Sequence, residues 1–122
     1  MWLDDDERAI TDARRYARNW SGTNGLDTEH SDQLELIVSE LVTNAVRHGF
    51  PPYRVDLERY GHSLYGEVSD ASATEPRLRR RADHRGGFGL RIVDSIATRW
   101  GVSLSETGKT IWFELDADSD RR

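Results

Sequence analysis

Cysteine is absent from this 122-residue chain. Disulfides, thiolate nucleophiles and cysteine-based zinc sites are thereby excluded, and the absence accords with an intracellular protein. Base is in short supply as well. Seventeen Lys and Arg against 22 Asp and Glu leave a formal charge of −5, which argues against a domain devoted to sequence-independent duplex binding, where affinity comes from neutralising phosphates. No direct nucleic-acid role is expected. No apolar run approaches the roughly 18 residues that span a bilayer. The opening Met1-Trp2-Leu3-Asp4-Asp5-Asp6-Glu7 carries acid where a secretory leader carries base. The expectation is a cytoplasmic protein with no membrane segment. Internal repeats are lacking too. What the chain does have is 36% hydrophobic residues, including four Trp, four Tyr and three Phe, enough for one folded domain over residues 1–122. Its last residues, 117–122, read as a solvated and disordered tail.

Several familiar chemistries are missing from the motif inventory. No Gly-x-x-x-x-Gly-Lys-Ser/Thr pattern occurs, and Gly108-Lys109-Thr110 precedes an alternating strand rather than a helix, so a Walker-type phosphate loop is excluded. The histidines at 30, 48, 62 and 84 show no paired metal-ligand spacing, and no Ser-His-Asp set can be nominated. Surface or capping roles are expected for most of them.

Periodicity predicts a first helix from Asp4 to Trp20, with Ile10, Ala13, Tyr16, Ala17 and Trp20 as its apolar stripe and arginines on the other face. Ser21-Gly22-Thr23-Asn24-Gly25 should break it. Asp27 or Thr28 caps a second helix running to about His48 and stopping at Gly49, before Pro51-Pro52. Residues 54–60 and 63–69 alternate as a hairpin around Gly61-His62, and a third helix follows from Gly87 to about Thr98. Two closing strands surround Glu106-Thr107-Gly108. Between Asp70 and Gly87 no period is found, and this long stretch contains Pro76 and the basic run at residues 77–81. It reads as a mobile loop. The fold class expected is α+β, a two-layer sandwich of a mainly antiparallel mixed sheet covered on one face by three helices, its other face wet and carrying some exposed aromatics such as Trp112. Met1 to Asp6 shows little β character, so no strand is expected ahead of the first helix.

Glu40-Leu41-Val42-Thr43-Asn44-Ala45-Val46-Arg47-His48-Gly49 is the most informative segment. At about 100° per residue, Glu40, Asn44 and Arg47 share one narrow sector, well away from Leu34, Val38, Leu41, Val42 and Ala45. That sector either faces water, as on most amphipathic helices, or serves a metal-nucleotide. Asp70 closes a strand, where its carboxylate either forms a turn or accepts from an exocyclic amine such as that of adenine. Arg85-Gly86-Gly87-Phe88-Gly89-Leu90 sets three glycines at a helix entrance, where bare backbone amides and the helix dipole suit a phosphate, and an ordinary loop-to-helix transition reads the same way.

Together these segments closely resemble the GHKL ATPase superfamily with its Bergerat nucleotide-binding fold, and more narrowly the anti-sigma-factor serine kinases of bacteria. ELVTNAVRHG is the most specific string, followed by GGFGLRIVD. The resemblance implies ATP and Mg²⁺ as cofactors, with Asn44 as the metal ligand and Glu40 as general base. It further implies that Arg47, Asn44 and Thr110 line the nucleotide pocket, that Asp70 recognises adenine, and that Arg85, Gly86, Gly87, Phe88, Gly89 and Leu90 form the phosphate end. Residues 71–86 would be the ATP lid. Ser72 stands where the family often has glycine two residues after the adenine-binding Asp.

The function implied is a cytoplasmic serine kinase that phosphorylates a small anti-anti-sigma antagonist protein and holds a sigma factor, with a homodimer as its plausible assembly. An ATP-gated binding module without useful phosphoryl transfer is the alternative. The catalytic half of a sensor histidine kinase is disfavoured, because 122 residues leave no room for a phospho-accepting hairpin. Partners would dock on the arginines of helix one (Arg8, Arg14, Arg15 and Arg18) or on the basic lid.

Overall fold

A computed structural model describes residues 1–72 and 88–117, with Phe88 and Gly89 described in backbone alone. The elements run β1 (Trp2–Leu3), α1 (Arg8–Thr23), α2 (Thr28–His48), β2 (Tyr53–Tyr60), β3 (Ser63–Asp70), α3 (Phe88–Ile96), β4 (Arg99–Ser105) and β5 (Gly108–Asp116). The strands form one sheet in the order β1-β2-β3-β5-β4, and every pairing is antiparallel. No mixed pairing occurs among the described residues. All three helices lie on one side of the sheet, giving the expected α+β sandwich.

Alternation decides which side of each strand faces the helices. Val55 and Leu57 from β2, Leu64 and Val68 from β3, and Ile111, Phe113 and Leu115 from β5 are buried beneath Leu34, Ile37, Val38, Leu41 and Val42 of α2. Phe113 fills the place a side chain on Gly66 would take, since a Cβ there would lie 2.3 Å from its ring. The other face is half-wet. It holds Arg54 over the Trp2 ring at 4.9 Å, the stacked Tyr65–Trp112 pair, and the Tyr65 hydroxyl donating to Glu67 at 2.8 Å.

Helix α2 is the central element and packs against α1 and α3 as well as the sheet. Asp27 caps it, accepting from the backbone N–H of His30 at 2.9 Å and meeting its ring Nδ1 at the same distance. Its last N–H contact runs from Gly49 to the Ala45 carbonyl. Both ends fall where the sequence places them.

The N-terminal expectations need correction. Trp2–Leu3 is a strand paired to Tyr53 and Arg54, because Leu3 reaches the core and Trp2 covers Arg54. Helix α1 begins at Arg8 rather than Asp4. The acids precede the helix, and the Asp6 carboxylate accepts from the Arg8 backbone N–H at 2.9 Å, satisfying a free donor of the first turn. At its other end α1 runs through Gly22 to Thr23, carried by a seam of Ala9, Ala13, Ala17 and Ser21 that is wholly buried. These small residues let α1 sit close on α2. Residues 73–87 and 118–122, including most of the anticipated lid and tail, lie outside the described residues.

Candidate nucleotide-binding site

Glu40, Asn44 and Arg47 share one side of α2, flanking its buried row next to Ile37. Glu40 and Asn44 are half-buried and Arg47 is exposed. By contrast Thr43, between them, spends its hydroxyl on the Ser39 carbonyl at 2.7 Å. A carboxylate and a carboxamide one helical turn apart therefore face outward together. Among the described residues no group of three or more His, Asp or Glu is placed to hold a metal ion. The oxygens of Asn44 and Glu40 are nonetheless hard donors of the kind Mg²⁺ accepts, and that ion commonly takes one or two protein ligands and completes its shell with phosphate oxygens and water. The donor set fits a metal that arrives with a nucleotide.

The C-terminal end of α2 meets Asp70 directly. A Cβ on Gly49 would lie 2.5 Å from the Asp70 carboxyl carbon and 2.6 and 2.7 Å from its oxygens, so the carboxylate rests on the glycine backbone. The Ala71 N–H donates to the Phe50 carbonyl at 2.8 Å, fastening the end of β3 to the residue after the cap. Asn44 is five residues before Gly49, about 7.5 Å along the helix axis. The C-terminal end of α2, the helix that carries Glu40 and Asn44, and Asp70 thus border the same corner of the molecule.

Asp70 is only 5% exposed, and it is more than a turn former. Its Oδ1 accepts from the Ser72 N–H at 2.7 Å, closing a tight turn, while Oδ2 lies 3.0 Å from Lys109 Nζ. Ser72, found where glycine was the family expectation, is itself buried. Its backbone amide makes the contact, so the turn does not need glycine.

Other predicted residues scatter. Leu90 is in the core between α3 and its neighbours, so only its backbone can serve a phosphate. Phe88 and Gly89 form the first turn of α3, which packs against α2. Arg85, Gly86 and Gly87 lie outside the described residues. Thr110 does not join Asp70: it pairs with Ser69 across the strands, and their hydroxyls meet at 2.9 Å on the outer face of the sheet. The strand period of two puts it there, and puts Lys109 beside Asp70 instead. Lys109 was missed at the sequence level. Its signal was parity, since it shares the inward register of Ile111, Phe113 and Leu115.

The α1 arginines are each matched by a carboxylate. Arg14 and Arg18 both reach Glu35 on α2, Arg8 reaches Asp4 and Asp6, and Arg15 reaches Asp12.

The family model of the histidine kinase-like ATPase domain matches residues 3–115 of the chain. The chain belongs to that family. No curated protein matches it in sequence. Among solved structures, it resembles the Acinetobacter baumannii histidine kinase AdeS at TM-score 0.57 and 13% identity, covering 72% of this chain and 47% of that one. The histidine kinase domain of the Erythrobacter litoralis EL346 blue-light activated histidine kinase matches at TM-score 0.56 and 18% identity, over 75% of this chain and 49% of that one. The catalytic domain of histidine kinase ThkA matches at TM-score 0.58 and 16% identity, over 71% and 67%. At these identities the likeness shows the fold alone, and the chain spans about half the length of the first two structures. The family match over residues 3–115 makes this an ATP-binding, kinase-like domain. Among the described residues no helix is long and apolar enough to cross a membrane.

Proposed function

We propose that the chain is an ATP-binding protein serine kinase of the anti-sigma-factor type, which phosphorylates a small antagonist protein and holds a sigma factor, and so regulates bacterial transcription. The observation that carries the nucleotide part is the packing of the buried Asp70 on Gly49, at the C-terminal end of the helix that bears Glu40 and Asn44. Support for the serine-kinase part is the string ELVTNAVRHG with GGFGLRIVD. A homodimer belongs to the same proposal.

In this reading Asn44 supplies an oxygen to Mg²⁺, Arg47 borders the phosphates, and Asp70 holds the base. Arg85 and the backbone of residues 86–90 take the phosphate end. Bound Mg²⁺ would offset negative charge on the phosphate oxygens. Glu40 orients the acceptor serine and takes its hydroxyl proton as the serine oxygen bonds to phosphorus and the bond to departing ADP breaks. Its half-buried carboxylate stands one helical turn from the Asn44 amide, on the same side of the helix.

The test is transfer of labelled γ-phosphate from ATP to candidate antagonist proteins. Glu40→Gln should keep nucleotide affinity and lose transfer by about a hundredfold. Undiminished transfer would remove Glu40 as the base. Tight ATP binding with no transfer to any serine-bearing antagonist would instead favour the ATP-gated module.

A further inference from the structure

Lys109 is a costly residue for its position. On the inward side of β5 it follows the register of Ile111, Phe113 and Leu115, and it is 4% exposed. Its ammonium pairs with Asp70 at 3.0 Å with both side chains almost wholly buried, and such pairs commonly contribute no more stability than apolar residues of the same size. Packing alone gives no reason for a lysine there.

The pair has unused hydrogen-bonding capacity. A carboxylate offers about four lone-pair sites; Asp70 gives one on Oδ1 to Ser72 and one on Oδ2 to Lys109. The ammonium carries three N–H donors, and among the described residues Asp70 is its ion partner. Among the described residues, an acceptor with a spare lone pair thus stands beside a donor with spare hydrogens. The edge of adenine remote from the sugar shows the complement, a 6-amino donor next to the N1 acceptor. Guanine presents a carbonyl and an N1–H at the same two places, opposing both groups.

We propose that Lys109 reads the nucleobase jointly with Asp70, donating to adenine N1 while the carboxylate accepts from the 6-amino group. This rests on the ATP-binding reading above and adds a specificity-determining residue to it. Lys109 discriminates against bases that lack an acceptor at position 1.

The experiment is a competition titration of the full chain with Mg-ATP, 1-deaza-ATP and 7-deaza-ATP. Loss of N1 should weaken binding by about tenfold to a hundredfold, whereas loss of N7 should change it less than about twofold. Lys109→Met should bind ATP and 1-deaza-ATP equally, because the group that distinguishes them is gone. Equal binding of ATP and 1-deaza-ATP by the unmodified chain overturns the proposal, as does tighter ATP binding by Lys109→Met, which would make the lysine a latch on Asp70. Should Lys109→Met not fold, the analogue series on the unmodified chain decides alone. Failure to bind Mg-ATP at all would overturn the nucleotide reading too, and is told apart from failure at N1 by the ATP titration itself.

Discussion

Gly49→Ala should destabilise the protein although alanine is the better helix former. The backbone at Gly49 has φ −109° and ψ −160°, an extended conformation open to any residue, so conformational freedom is not what glycine provides. Space is. The new methyl carbon would stand 2.5 Å from the Asp70 carboxyl carbon, roughly 1 Å inside the ~3.5 Å distance of ordinary contact. Asp70 cannot retreat cheaply, being held by Lys109 on one oxygen and by the Ser72 N–H on the other. Overpacking of this kind costs about 1–3 kcal/mol, a fall in Tm on the order of 4–15 °C for a domain of this size. Gly22→Ala is the matched control. Gly22 lies within α1 with no atom near its missing Cβ, and alanine there should add up to about 1 kcal/mol of stability. Thermal unfolding of the three proteins by circular dichroism at one concentration gives the answer. A Gly49→Ala variant as stable as the parent would refute the packing of Asp70 on the end of α2.

Further expectations concern α1 and the outer sheet face. Ser21 Oγ is a buried hydroxyl with no hydrogen-bond partner among the described residues, so Ser21→Ala should stabilise by about 0.5–2 kcal/mol, read from denaturant midpoints; a loss of stability would mean that the hydroxyl is bonded. Burial, then the hydrogen bond to Glu67 and the nearby carboxylates, pushes the Tyr65 hydroxyl from 10.0 up to about 12. A raised value means that the folded chain keeps a proton the unfolded chain releases. The associated stability is therefore intact below about pH 10 and lost as pH rises to about 12. Tyr65→Phe should flatten the alkaline limb of a stability–pH profile, and an unchanged limb would count against this environment for Tyr65.

Local signals account for most of what was legible in the sequence. Asp27 and Gly49 bracket α2 by side-chain capping and a helix stop, and Gly61-His62 and Glu106-Thr107 turn the two hairpins, because each depends on residues a few positions apart. The fold class followed from the order of these elements. What escaped depends on distant partners. Trp2–Leu3 is a strand only because β2 lies beside it, and α1 continues through Gly22 because Ser21 is buried against its neighbours. Within the candidate site, the polar sector of α2 and the position of Asp70 were readable. That Lys109 rather than Thr110 stands beside Asp70 was not, since it required knowing that β5 pairs with β3 in the register Asp70 to Lys109. Parity along Ile111, Phe113 and Leu115 carried that information unread.

Calorimetric titration with Mg-ATP, run on the parent chain and on Asp70→Asn, tests the central claim most directly. The account predicts saturable one-site binding by the parent and affinity weaker by about tenfold or more in the variant, which keeps the shape of the side chain and loses its charge. A parent chain that takes up no Mg-ATP at millimolar concentration, or a folded Asp70→Asn variant that binds it as tightly, would contradict the account.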